Sequence, residues 1–236
     1  MAMTGFRKMQ FPGTEGRFRP PFNVDASPAT YESDLEAYNP DLAVRWSQSA
    51  SVFDFAISHF YGTSRLPQVL TTDGQNFTFH YELMNQTGFE LQASTGSMLW
   101  KGELIHRQSK RKTVTAFTLG GEYTFGNLFQ KGADLGLIAE YNFDDRGIES
   151  INGLNDDFFF GARVAVNDRQ STDFLGGMIL DRENGTVRYF AKANRRIGEN
   201  WKASIEVSGF DNIDPSEFIY LLRNDNFLQL SVSKYF

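Results

Sequence analysis

The sequence predicts an all-β protein, an antiparallel up-and-down meander of eleven or twelve strands. Apolar and polar residues alternate with period two again and again from Leu42 to the C-terminus, and no helical run of comparable strength interrupts them. Aromatic residues make up 15% of the 236 positions, while the hydrophobic total is an ordinary 41%. That composition excludes disorder. It also excludes a helical membrane protein, because no uncharged stretch reaches the roughly 18 residues a span needs. The absence of cysteine removes disulfides, thiolate nucleophiles and cysteine-ligated metals. A net charge of -6 and a pI near 5.1 argue against a nucleic-acid partner.

Residues 1–41 read as an irregular loop or arm, with Pro12, Pro20, Pro21, Pro28 and Pro40 breaking any regular element. A short helical turn fits around Thr30–Tyr38. Residues 42–236 carry the strands. Leu42, Val44 and Trp46 form the first apolar face, and Phe53, Phe55, Ile57 and Tyr61 the second. The stretch at 77–83 reads either as an extra strand or as an ordered part of the loop before the third. Phe89, Leu91 and Ala93 come next, then, across a tight TGS turn, Met98, Trp100 and Leu104. Phe117, Leu119, Tyr123 and Phe125 follow, and after them Leu135, Leu137, Ala139, Tyr141 and Phe143. Phe158, Phe160, Ala162 and Val164 precede Phe174, Met178 and Leu180. The closing strands present Val187, Tyr189, Ala191 and Ala193, then Trp201, Ala203, Ile205 and Val207, and finally Leu228, Leu230, Val232 and Phe236.

Two features favour a transmembrane β-barrel over a soluble sandwich. Short connections (95–97, 167–171, 196–200, with 126–132 somewhat longer) fall on one rim, and long ones (144–156, 210–226 and the region after Tyr61) on the other, the outer-membrane pattern. Aromatic residues sort to strand ends. Trp46, Trp100, Phe125, Trp201 and Phe236 adjoin the short-turn rim, and Tyr61, Phe143, Phe158 and Tyr189 the long-loop rim. Between them lie small or aliphatic side chains such as Ala139, Ala162, Ala191 and Ile205. Two aromatic girdles around an aliphatic band are what two lipid–water interfaces select. The terminal Phe236 behind Leu228, Leu230 and Val232 matches the C-terminal signal read by the barrel-assembly machinery. Lys234 departs from that signal, and a lysine there can snorkel to the interface.

The stretches FPGTEGRFRPPFNVD, HFYGTSRLP, QTGFELQASTGSMLWKGELIHR, GGEYTF, ADLGLIAEYNFDDRG and LRNDNFLQLSVSKYF together resemble a porin-like family of large Gram-negative outer-membrane β-barrels without an established substrate. The resemblance implies a neighbouring RND/MMPL-type transporter system, further strands upstream of the FPG block, and a signal sequence that Met1–Gly16 does not provide. It makes this chain the C-terminal portion of a barrel, with Phe6–Lys8 the tail of an earlier strand. Eleven strands is an odd number, and single-chain bacterial barrels are even. The expectation is an incomplete barrel whose first and last strands do not pair.

The polar faces carry Arg45, Glu90, Lys101, Glu103, Arg107, Glu122, Glu140, Arg163, Arg188, Lys192, Lys202 and Glu206 as lumen-lining candidates. Both signs interleave, so the charges either brace neighbouring strands or line a hydrated passage. Catalysis has little support. Ser58 and His59 are adjacent and point to opposite faces, no G-x-S-x-G elbow exists, and His80 with Glu82 lacks a placed nucleophile. His59 and His106 sit near strand ends on the apolar face. Acidic loop residues (Asp144, Asp145, Glu149, Asp156, Asp157; Asp211, Asp214, Glu217) match no EF-hand spacing and read as solvated charge rather than a cation site.

The expected function is passage of small solutes, hydrophobic ones among them, across the outer membrane, serving an envelope transport system, with no enzyme activity and no cofactor. A structural or receptor barrel with a blocked lumen is the alternative, and an outer-membrane hydrolase the third reading. Outer-membrane lipid, lipopolysaccharide and the barrel-assembly machinery are the expected partners, and nucleic acid is not one.

Overall fold

The computed structural model describes residues 1–10, 29–71, 77–128, 130, 132–147 and 153–236. Most of the proline-rich arm and Glu149 therefore lie outside the described residues. The described part is all-β apart from short 3-10 turns at Glu36–Tyr38 and Phe218–Leu222. Its strands are β1 (Ala2–Met3), β2 (Ala29–Tyr31), β3 (Asp41–Ala50), β4 (Phe53–Thr63), β5 (Gln68–Thr71), β6 (Phe77–Tyr81), β7 (Leu83–Thr95), β8 (Met98–Ser109), β9 (Thr113–Leu128), β10 (Ala133–Asp144), β11 (Asp156–Ala165), β12 (Asp173–Asp181), β13 (Val187–Ile197), β14 (Trp201–Asp211) and β15 (Phe227–Lys234).

Twelve of them form one sheet in the order β1-β3-β4-β7-β8-β9-β10-β11-β12-β13-β14-β15. From β3 on, every sheet strand pairs with the next sheet strand along the chain, the signature of an antiparallel meander. The sheet does not close, because β1 and β15 stand at opposite ends of the order. All eleven periodic runs are present as β3, β4 and β7–β15. The twelfth strand is the two-residue β1, which pairs Ala2 with Leu42 and Met3 with Asp41.

The 77–83 stretch does not add to the meander. Its β6 belongs to a separate three-stranded sheet, β2-β6-β5, parallel to β2 and antiparallel to β5. β5 and β6 are thus an ordered part of the loop between β4 and β7, and β2 joins them from the arm that precedes β3. Nor is Phe6 the tail of a strand. Its N–H donates to the Ala37 carbonyl at 2.8 Å, and its ring packs edge-on against Tyr81 at 4.7 Å and Tyr31 at 6.1 Å.

The chain divides into two compact units. One comprises 1–49, 55–90 and 104–116, the other 50–54, 91–103 and 117–236. In the first, an aromatic core forms around fully buried Phe79 and Tyr81, with Tyr31 stacked on Tyr81 at 5.5 Å. Asp41, 1% exposed, anchors this core's edge. Its carboxylate accepts the Thr63 N–H at 2.8 Å and pairs with Arg65 at 2.6 Å, while Arg65 also covers the Phe6 ring at 5.1 Å. In the second unit, β10–β15 pair without interruption, from Asp134 opposite Ala165 to Trp201 opposite Lys234.

Candidate functional site: the two faces of the sheet

Period-two alternation gives each strand one apolar and one polar face, and here the apolar face is the exposed one. Phe89, Leu137, Phe160, Tyr189 and Ile205 retain 38–47% of their accessible surface. Among the described residues the buried apolar side chains are only Ala56, Phe79, Tyr81, Met84, Ala93, Val114 and Ile219. A soluble sandwich packs its apolar faces together into a core. This sheet does not.

The girdle candidates follow the same rule. Trp46, Tyr61, Trp100, Phe125, Phe158, Tyr189, Trp201 and Phe236 are exposed, and Phe143 is half-buried because it stacks on Phe117 at 5.3 Å. Polar tips find partners: the Trp100 indole N–H donates to Thr95 Oγ1 at 3.2 Å, and Tyr141 donates to Asp156 at 2.8 Å. Lys234 lies over the Trp201 and Phe236 rings at 5.4 and 4.8 Å, a cation–π arrangement. Leu228, Leu230 and Val232 are exposed on β15.

The polar face is laced across strands. Arg45 pairs with Glu90 at 2.8 Å, Arg163 with Glu122 at 2.5 Å and Lys192 with Glu206 at 3.3 Å. Arg107 donates to Gln86 at 2.9 Å. Lys101, Glu103, Glu140 and Lys202 form no ion pair among the described residues. Arg188 is the exception in setting, being largely buried at the long-loop end, where it donates to Asp157 at 2.8 Å and to the Gly153 carbonyl at 2.6 Å.

That end holds a polar cluster the sequence reading missed. Asp157, Asp181 and Thr186 are 0–2% exposed and Asp144 is 3% exposed. The expectation of solvated loop charge fails for Asp144 and Asp157: each is buried and tied to an arginine, Arg146 for the first and Arg188 for the second. Burial of a carboxylate demands such a partner, and the nearby arginine was the available signal. Asp181 Oδ1 accepts the Glu183 and Asn184 N–H groups at 2.7 and 2.8 Å, fixing the tight β12–β13 turn. Thr186 holds the 212–226 connection, contacting Glu217 and accepting the Asp214 N–H at 3.2 Å. Burial pushes the Glu217 carboxyl above its ordinary range.

The rims are asymmetric through three long connections, since 110–112 and 182–186 are tight turns on the long-loop side. The histidines each meet a threonine: His59 Nδ1 lies 3.0 Å from Thr87 Oγ1, His80 Nδ1 2.9 Å from Thr30 Oγ1, and His106 Nδ1 3.0 Å from Thr115 Oγ1. No group of three histidine or carboxylate ligands converges in metal-binding geometry among the described residues. Comparison with protein-family models, with curated proteins and with solved structures finds no match in any of the three.

Proposed function

We propose that this chain is part of an outer-membrane β-barrel whose apolar face meets lipid and whose polar face lines a passage for small solutes. The observation that carries the reading is the exposed apolar face, which runs along strands from β3 to β15. An apolar face exposed on strand after strand is a liability in water and the expected surface in a bilayer. Aromatic residues at strand ends and the lysine over Trp201 support the same placement. Among the described residues no helix is long and apolar enough to cross a membrane, so a span here would be made by strands, which satisfy their backbone inside lipid only in a closed barrel. The same argument requires that the outer edges of β3 and β15 be paired in the membrane.

The resemblance to the porin-like family gives the proposal its wider setting: assembly through the Phe236 terminus and service to an RND/MMPL-type envelope system. The interleaved ion pairs Arg45–Glu90, Arg163–Glu122 and Lys192–Glu206 favour a second reading, a braced barrel with a blocked lumen. Planar-bilayer recording on the full-length protein separates the two. Stepwise conductance supports passage, and a silent, properly inserted protein supports the blocked barrel. Failure to partition into membranes at all would sink both.

A further inference from the structure

The polar face ends, on the short-turn side of the second unit, in a cavity of about 430 Å³ whose wall includes Arg196, Lys202, Trp201 and Tyr235. Ser171, Asp173 and Glu199 complete it. Arg196 and Lys202 stand directly opposite each other across the β13–β14 pair. Like charges in cross-strand register repel. Elsewhere on these strands a cation faces an acid: Lys192 is opposite Glu206 and pairs with it at 3.3 Å, and Arg195 reaches Asp168 at 3.1 Å. Arg196 and Lys202 break that pattern, for among the described residues neither side chain has an ion-pair or hydrogen-bond partner.

The acids in the wall do not neutralise them. Asp173 Oδ2 accepts a hydrogen bond from Asn194 Nδ2 at 2.8 Å, and Glu199 is exposed in the turn between β13 and β14. The Tyr235 N–H donates to the Asn200 carbonyl at 2.7 Å and so holds that residue beside the turn. Two uncompensated cations, hydroxyls from Ser171 and Tyr235, and the Tyr235 ring meet in a space of ordinary ligand size.

We infer that this cavity binds a small organic anion, its phosphate or carboxylate between Arg196 and Lys202 and its body against Tyr235. The site stands apart from the passage reading, because binding here needs no conduction. A phosphate of this kind comes either from a soluble solute or from a lipid headgroup. The test is calorimetric titration of the full chain, folded in neutral detergent, with phenyl phosphate and with phenol as the uncharged control.

The expected result is saturable 1:1 binding of phenyl phosphate that weakens with salt, no binding of phenol, at least a tenfold loss in R196Q/K202Q, and tighter binding in E199Q. Both cations are exposed, so the double variant should keep the wild-type circular-dichroism spectrum and melting curve, which are recorded alongside. A second arm repeats the titration in nanodiscs with and without phosphatidic acid. Competition by that lipid identifies a headgroup as the occupant, and undiminished binding identifies a soluble anion. Equal binding of phenol, an unchanged R196Q/K202Q, or no binding in either arm overturns the proposal.

Discussion

Asp157 shows what a buried charge requires in this protein. It is 0% exposed, and its carboxylate accepts from Arg188 on one oxygen and from the Asn155 N–H, at 2.8 Å, on the other. Replacing Arg188 by methionine keeps the bulk and strands the carboxylate, so R188M should lower unfolding stability by about 3–5 kcal/mol, the range for breaking a buried pair. Urea denaturation checks this, and R188M/D157N should recover part of the loss. Glu217 gives the complementary case. Its carboxyl is raised by burial first and by Asp181 second, against the opposing pull of its Thr186 hydrogen bond and of Arg188. Its folded-state proton affinity exceeds the unfolded one. Its contribution is therefore whole below the ordinary glutamate value and is lost as pH rises through the raised folded value. Amide exchange in Asp214–Tyr220, corrected for intrinsic rates, should show protection falling as pH rises from below the ordinary glutamate range through the raised folded value. In E217Q the profile should be flat, and a flat wild-type profile would show that Glu217 does not hold the loop.

At the scale of the strand, side-chain period fixes which way a residue looks, and two substitutions on neighbouring faces read that direction. Ile205 sits mid-strand on the exposed apolar face of β14, so I205R should cost about 2–4 kcal/mol in lipid, while K192Q on the polar face should cost far less. Equal effects would mean the faces are not differently solvated. Gly177 in β12 faces the other way, under the Phe159 ring. A methyl group there would stand 2.5 Å from that ring and 2.9 Å from the Phe160 carbonyl oxygen. G177A should therefore destabilise by about 1–3 kcal/mol, the overpacking range, with the change visible in melting of the folded band on a gel. The meander itself was legible because alternation is local: every run from Leu42 onward is a strand, and Trp100 or Ile205 needed no distant partner to declare its face. The β2-β6-β5 sheet was not, because Phe6, Tyr31 and Tyr81 meet only through contacts far apart in sequence. The buried Asp157 and Asp181 were hidden for the same reason, and Arg196 passed unremarked because its opposition to Lys202 is a matter of register.

For the molecule as a whole, the proposal that the exposed apolar face meets lipid requires that its aromatic ends find the lipid–water boundary. The three tryptophans make this measurable. Trp46 lies toward the end of β3, while Trp100 and Trp201 begin β8 and β14, so each adjoins a short connection. Each also has an interfacial contact: Trp46 packs edge-on with Phe55 at 5.5 Å, Trp100 donates to Thr95, and Lys234 covers Trp201. An indole with an apolar body and a polar N–H prefers the headgroup level to the bilayer centre or bulk water. In vesicles, tryptophan emission should be quenched strongly by lipids brominated near the glycerol, weakly by lipids brominated near the chain end, and least by aqueous iodide. Single-tryptophan variants at 46, 100 and 201 should give the same depth, because alternate strands run in the same direction and return to the same rim. Efficient iodide quenching, or unequal depths among the three, would mean that the apolar face is not held in lipid and that some partner in water covers it instead.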